Sequence, residues 1–143
     1  MSEQSGIFKV VLYENTGISL TFVDETDISA ISTGGQTVTL DCDNMLLNYI
    51  SNQLVSENNK ITYLHTITAK IYDLTIEILD EIEALNSLFG WIPVIFFRND
   101  ETKIIRTPIF LQDTDFDSKE THVFDIELIV QERTFNNLID FSG

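Results

Sequence analysis

Residues 60–72, KITYLHTITAKIY, alternate in strict period two. Ile61, Tyr63, His65, Ile67, Ala69 and Ile71 fall on one side of the pattern, and Thr62, Leu64, Thr66, Thr68, Lys70 and Tyr72 on the other. Successive side chains of a strand project to opposite faces, so this period specifies a long strand with one face turned to a core. Such a strand cannot stand alone, because its backbone N–H and C=O groups need partners along an edge. The chain must therefore build a sheet, and the other segments supply its neighbours.

The first third reads as strands. Residues 7–14 (IFKVVLYE) and 18–24 (ISLTFVD) are rich in β-branched and aromatic residues and are joined by Asn15-Thr16-Gly17, a short hairpin signal. Asp24-Glu25-Thr26-Asp27 is a polar break, Ser32 to Gln36 a flexible loop, and Thr37 to Cys42 a third strand. Asp43 then caps an expected helix over about 44–56, with Leu46, Leu47, Ile50 and Leu54 on one stripe. After the 60–72 strand, Asp73 is the expected N-cap of a second helix from Leu74 to Phe89. Its core stripe is Leu74, Ile78, Ile82, Leu85 and Phe89, with Glu77, Asp80, Glu81 and Glu83 outward and Gly90 as the left-handed stop.

Three further strands are expected at 91–98, 103–111 and 121–131, with Asn99 to Thr102 as a turn. Phe124, Ile126, Leu128 and Val130 make the inward face of the last one. Pro93 and Pro108 lack the N–H that a ladder needs, which places them on edges or at bulges. Strands in runs rather than in regular alternation with helices indicate an α+β fold: a mostly antiparallel β-sandwich or barrel with one or two flanking helices. At 143 residues, with no repeat and no linker, residues 1–143 are expected to form a single domain.

Charge narrows the partners. The chain carries 8 Lys+Arg against 23 Asp+Glu, a net −15. Binding to phosphates needs bases that displace counterions, so specific nucleic-acid binding is not expected, and an anionic membrane surface is disfavoured for the same reason. The middle of the chain, 60–106, is nearly neutral, and the excess lies in the two ends. The amino terminus, Met1 to Ser5, shows no secretory signal, and the longest apolar run, Leu88 to Phe97, is interrupted by Gly90 and Pro93. It falls well short of the roughly 20 residues of a spanning helix. Synthesis in a cytoplasm is expected.

The candidate chemistry is thin. Cys42 is the one cysteine, which excludes an intrachain disulfide and a multi-cysteine zinc site; between Asp41 and Asp43 it reads as a structural strand-end residue. Asp113, Asp115 and Asp117 have the two-residue spacing of a calcium loop, with Glu120 beyond. Counted from Asp113, however, the sixth position holds Ser118 rather than Gly and the twelfth Phe124 rather than Glu. These three acids, like Asp24, Glu25 and Asp27, are expected in solvated loops and to act together as an electrostatic field. His65 and His122 sit within strands and lack a third partner at ligand spacing, so both read as structural. Asp80 and Glu83 lie on a helix surface rather than across a cleft. Trp91, Phe96, Phe97, Phe110 and Phe124 lack interleaved bases and read as core rather than a base-stacking platform. No phosphate loop, nucleophile elbow or zinc-protease motif occurs. The expectation is a protein with no catalytic, cofactor or metal residues, and not an enzyme.

The order Tyr63-Leu64-His65-Thr66-Ile67, an acidic helix from Glu77 to Leu85, and Val94 to Glu101 resembles small virion proteins of tailed bacteriophages. Pro108 to Leu111 and Phe124 to Leu128 fit the same scheme. The resemblance covers about half the chain and carries no catalytic motif. It implies a tail-tube or head–tail neck component, in which a sandwich or barrel beside a helix assembles into homo-oligomeric rings with other virion proteins. Its place would then be the virion, after synthesis in the host cytoplasm. The amino-terminal third has no counterpart in that scheme, which leaves tube, neck, baseplate and capsid roles open. The competing class is a small acidic inhibitor or DNA mimic that occupies the basic groove of a host enzyme.

Overall fold

The computed structural model describes residues 6–43, 45–55, 57–59, 61–71, 75–117, 123–132 and 138–142. They form eleven strands and one helix: β1 (Ile7–Glu14), β2 (Ser19–Asp24), β3 (Asp27–Ser32), β4 (Thr37–Asp41), β5 (Met45–Val55), β6 (Ile61–Ile71), α1 (Ile76–Ala84), β7 (Trp91–Phe97), β8 (Thr102–Ile105), β9 (Phe110–Asp117), β10 (Val123–Glu132) and β11 (Leu138–Phe141). Seven strands make one sheet in the order β2-β3-β11-β8-β7-β1-β4, and four make a second in the order β5-β6-β10-β9. β11 pairs parallel with β3, and the other named ladders are antiparallel. The fold is α+β and dominated by its strands, as the runs of strand-like sequence predict.

The alternating segment behaves as its period requires. In β6 the residues His65, Ile67, Ala69 and Ile71 are buried, while Leu64, Thr66, Thr68 and Lys70 are half-buried or exposed. β6 lies between β5 and β10, so both of its edges are paired.

Residues 45–55 are a strand, not the expected helix. Leu46, Ile50 and Leu54 are spaced by four, which satisfies a helical stripe and a period of two equally well. Tyr49, Ile50 and Val55 favour a pleated strand, and Asn48 and Asn52 gain little from a helix. The deciding term is tertiary: β6 offers a partner along the whole length, and the ladder runs unbroken from Met45–Ile71 to Val55–Ile61.

The second helix exists but is shorter. α1 is capped by Thr75, whose Oγ1 accepts a hydrogen bond from the N–H of Ile78 at 3.2 Å, so the cap is not Asp73. Asp73 and Leu74 lie outside the described residues. Ile78, Ile82 and Leu85 are buried as the stripe predicts. Phe89 is not part of that stripe, because the helix has ended five residues earlier and the ring is 56% exposed. Gly90 is left-handed, with φ of 77°, but it opens β7 rather than closing the helix. A Cβ there would lie 2.9 Å from the side chains of both Phe110 and Pro108, so close approach as well as φ demands glycine.

Two more boundaries differ from the sequence pattern. The segment expected as one strand at 103–111 is two, β8 and β9, separated around Pro108. β9 continues through the aspartates that were expected in a loop. β3 and β11 were not foreseen. Pro93 lies inside the larger sheet, between β1 and β8, rather than on an edge strand. The β7–β8 ladder begins at Val94–Ile104 and the next bridge on that side is Trp91–Ile109, so Pro93 falls in the gap between them, where no ladder N–H is required of it.

Two apolar clusters hold the described residues together. The first joins Val10, Leu12, Val38, Leu40, Trp91 and Ile95 of the larger sheet to Met45, Leu47, Ile67, Ala69 and Ile71 of the smaller one and to Ile78, Ile82 and Leu85 of the helix. The indole N–H of Trp91 donates to the carbonyl of Leu85 at 2.9 Å, tying the helix end to the sheet. The second cluster lies on the opposite face of the larger sheet, with Ile28, Ile92, Val94, Ile104 and Ile139 at its centre. β7 contributes to both, which explains its continuous apolar sequence WIPVIFF.

Candidate functional site

Among the described residues, those singled out in the sequence do not converge on one place. His65 is fully buried on β6, and its Nδ1 lies 2.8 Å from the hydroxyl of Tyr49 on β5. The two rings stack with centroids 6.0 Å apart, and Tyr49 meets Phe97 of β7 edge-on at 5.9 Å. The pair lies on the face of the smaller sheet that meets β7, with His65 buried and Tyr49 half-buried. His122 and Glu120 lie outside the described residues.

Cys42 follows the last residue of β4, and its N–H donates to the carbonyl of Phe8 at 3.0 Å. Asp41, Cys42 and Asp43 can bring their donor atoms within 4.8 Å of one another, the one such group among the described residues. Their arrangement has a local cause: the N–H of Asp43 donates to Oδ1 of Asp41 at 3.1 Å, closing the turn into β5.

The acidic clusters separate. Asp24 and Glu25 are exposed at the turn between β2 and β3, with Asp27 half-buried. The Asp24 carboxylate accepts from the N–H and hydroxyl of Thr26 at 2.8 and 3.0 Å, which holds its pKa below the ordinary carboxylate range. Asp113, Asp115 and Asp117 stand in β9, not in a loop. The β9–β10 register sets Asp113 opposite Glu127 and Asp115 opposite Asp125. Asp80 and Glu83 are exposed on α1, and Glu81 beside them is raised above its ordinary value by burial.

Glu14, which no sequence pattern singled out, bonds to two segments distant in the chain. It accepts from the hydroxyl of Ser87 at 2.6 Å and from the N–H of Gln36 at 3.1 Å, and both bonds lower its pKa, Ser87 the more. It thereby joins the end of β1 to the α1–β7 connection and to the loop before β4. Ser87 is 73 residues away in the chain, so only the fold reveals the pair.

The aromatics divide. Trp91 and Phe97 are core, whereas Phe110 is 42% exposed and corrects the expectation that it is buried. The side chain of Phe124 lies outside the described residues.

What remains is surface. Four strands end a sheet: β2 and β4 in the larger, β5 and β9 in the smaller. Large apolar side chains are exposed on three of them: Phe22 and Val23 on β2, Leu46, Ile50 and Val55 on β5, and Phe110 at the start of β9. On β2 the Arg106 guanidinium lies 5.9 Å over the Phe22 ring. On β5 none of the eleven residues, MLLNYISNQLV, is charged. An edge of this kind presents unpaired N–H and C=O groups beside apolar side chains, which suits it to strand-to-strand association. No helix among the described residues is long and apolar enough to cross a membrane. The chain matches no protein-family model, no curated protein and no solved structure.

Proposed function

We propose that this protein is a non-enzymatic structural subunit that assembles with copies of itself into a ring or tube, in the manner of a phage tail-tube or neck component. The observation that carries the proposal is the charge-free, apolar edge β5 on a chain of net −15. A surface that merely kept the protein dispersed would place charge there, as the other sheet-ending strands β2, β4 and β9 do. In the same reading the two sheets are the faces of a β-sandwich, closed at one end by α1, and the apolar cluster they share is its filling.

The remaining acids act collectively. An acidic lining repels DNA, which keeps a conduit from binding what passes through it. Ring contacts are heterologous, one patch meeting a different patch on the neighbour, so closure sets the number of subunits.

Light scattering of the purified protein at low and at high salt tests the proposal. The expected mass is a multiple of 16.3 kDa that grows with added salt, because screening weakens self-repulsion. A monomer at every salt level and at high concentration would overturn it. Recovery of such a monomer one-to-one with a basic host enzyme would favour the acidic inhibitor instead.

A further inference from the structure

Among the described residues, every sheet edge except one carries a device that discourages pairing. β2 is interrupted by two register shifts and ends in Asp24. β4 is five residues long and ends in Asp41. β9 holds three aspartates and a register shift against β10. β5 has none of these: it is eleven residues long, uncharged, free of proline, and paired to β6 without a bulge. Short length, charge and bulges are how proteins keep strand edges from joining. Their absence from one edge alone marks the place where joining is wanted.

The sequence of β5 also names the partner. Leu46, Asn48, Ile50 and Asn52 are exposed on its outer face, and Leu54 holds the next position of the same alternation. Leu-Asn-Ile-Asn-Leu reads the same in both directions. Two copies of β5 running antiparallel about a two-fold axis at Ile50 set Leu46 opposite Leu54, Asn48 opposite Asn52 and Ile50 opposite itself. Each apolar residue then meets an apolar one, and each amide meets an amide. On the other face Met45 meets Val55, Leu47 meets Gln53 and Tyr49 meets Ser51, again with no charge on either strand. For a molecule of net −15, a second copy can approach with least local repulsion along this strand.

We propose that β5 is an isologous dimer edge, through which two copies join their four-stranded sheets into one continuous eight-stranded sheet. The inference rests on the same charge-free edge as the proposal above and on its premise of self-association, and it adds a two-fold axis that a simple head-to-tail ring lacks. An assembly using both kinds of contact has dihedral symmetry, with two rings back to back.

Cysteine cross-linking reads the register directly. Residues opposite each other in an antiparallel pair have Cα atoms about 4.5–5.5 Å apart, inside the range a disulfide spans. Ile50→Cys is therefore expected to oxidise almost completely to a covalent dimer, with peptide mass mapping showing the bond between the two substituted positions. Asn48→Cys is the control: its two copies lie four residues apart along the paired strands, about 13 Å, and are not expected to cross-link. Both variants retain Cys42, as does the wild type, so a bond between two Cys42 thiols appears in all three, and the peptide mass mapping separates a mixed bond between Cys42 and a substituted position from the bond between two substituted positions. Both positions are exposed, and circular dichroism checks that the fold is kept. Equal cross-linking of the two variants, or none in either, overturns the two-fold pairing. If the wild type still forms multimers in that case, self-assembly stands and only the β5 axis falls; if it is monomeric, both proposals fall together.

Discussion

β7 and β5 are both long strands without a charged residue, yet they meet opposite fates. β7 lies between β1 and β8 and is buried on both faces, so its apolar residues are used within the chain. β5 has a partner on one side alone. Met45 and Leu47 turn into the shared core, while Leu46 is 59%, Ile50 43% and Val55 61% exposed. Burial explains the lack of charge in β7. It does not explain it in β5, and that unexplained half is the proposed place of a second chain.

If the comparison holds, substitutions in β7 and its supports damage the fold, and those in β5 damage assembly. The largest effect is expected for Trp91→Ala, which empties the centre of the first core and strands the Leu85 carbonyl. It should cost about 3–5 kcal/mol in denaturant unfolding. Ile82→Ala removes the helix's buried contact with that core and should cost about 2–5 kcal/mol; a smaller loss would mean that α1 lies loosely on the sheets.

Glu14 sits at an intermediate level, because it links three segments without filling a core. Its pKa is lowered in the folded state, so its bonds to Ser87 and Gln36 contribute stability above the ordinary carboxylate value, and that stability is lost as pH falls through the folded value. Wild type is therefore expected to lose melting temperature on acidification more steeply than Glu14→Gln, and superimposable acid limbs would show that the node is idle. Smallest of all is Ile50→Ala, an exposed edge change that should alter the unfolding free energy of the monomer by less than about 0.5 kcal/mol. A large loss there would make β5 an ordinary structural strand and remove the contrast with β7.

Much of this architecture is readable in the residues, and the failures have specific causes. β6 was legible because thirteen residues keep one period, and Ile78, Ile82 and Leu85 because helical spacing admits no strand alternative there. β5 was not, since Leu46, Ile50 and Leu54 fit both periods and the choice was made by β6. β3 is six residues of mixed polarity, and β11 is four residues that find β3 across most of the chain, a parallel pairing no local pattern encodes. The aspartates of β9 read as a loop because charge at alternate positions is poor strand chemistry, tolerated where a strand ends its sheet. The edge proposed for assembly is hidden for the same reason: a segment whose spacing fits a helix does not show itself as an edge strand.

The central claim is that copies of this chain meet along β5. Its most direct measure is the mass of wild type beside Ile50→Lys, taken by light scattering at one concentration and one salt level. The substitution sets two ammonium groups opposite each other on the proposed axis and gives the edge the charge it lacks. The expected result is that the mass halves while the circular dichroism spectrum is unchanged. Equal masses for the two proteins, with both folded, would contradict it.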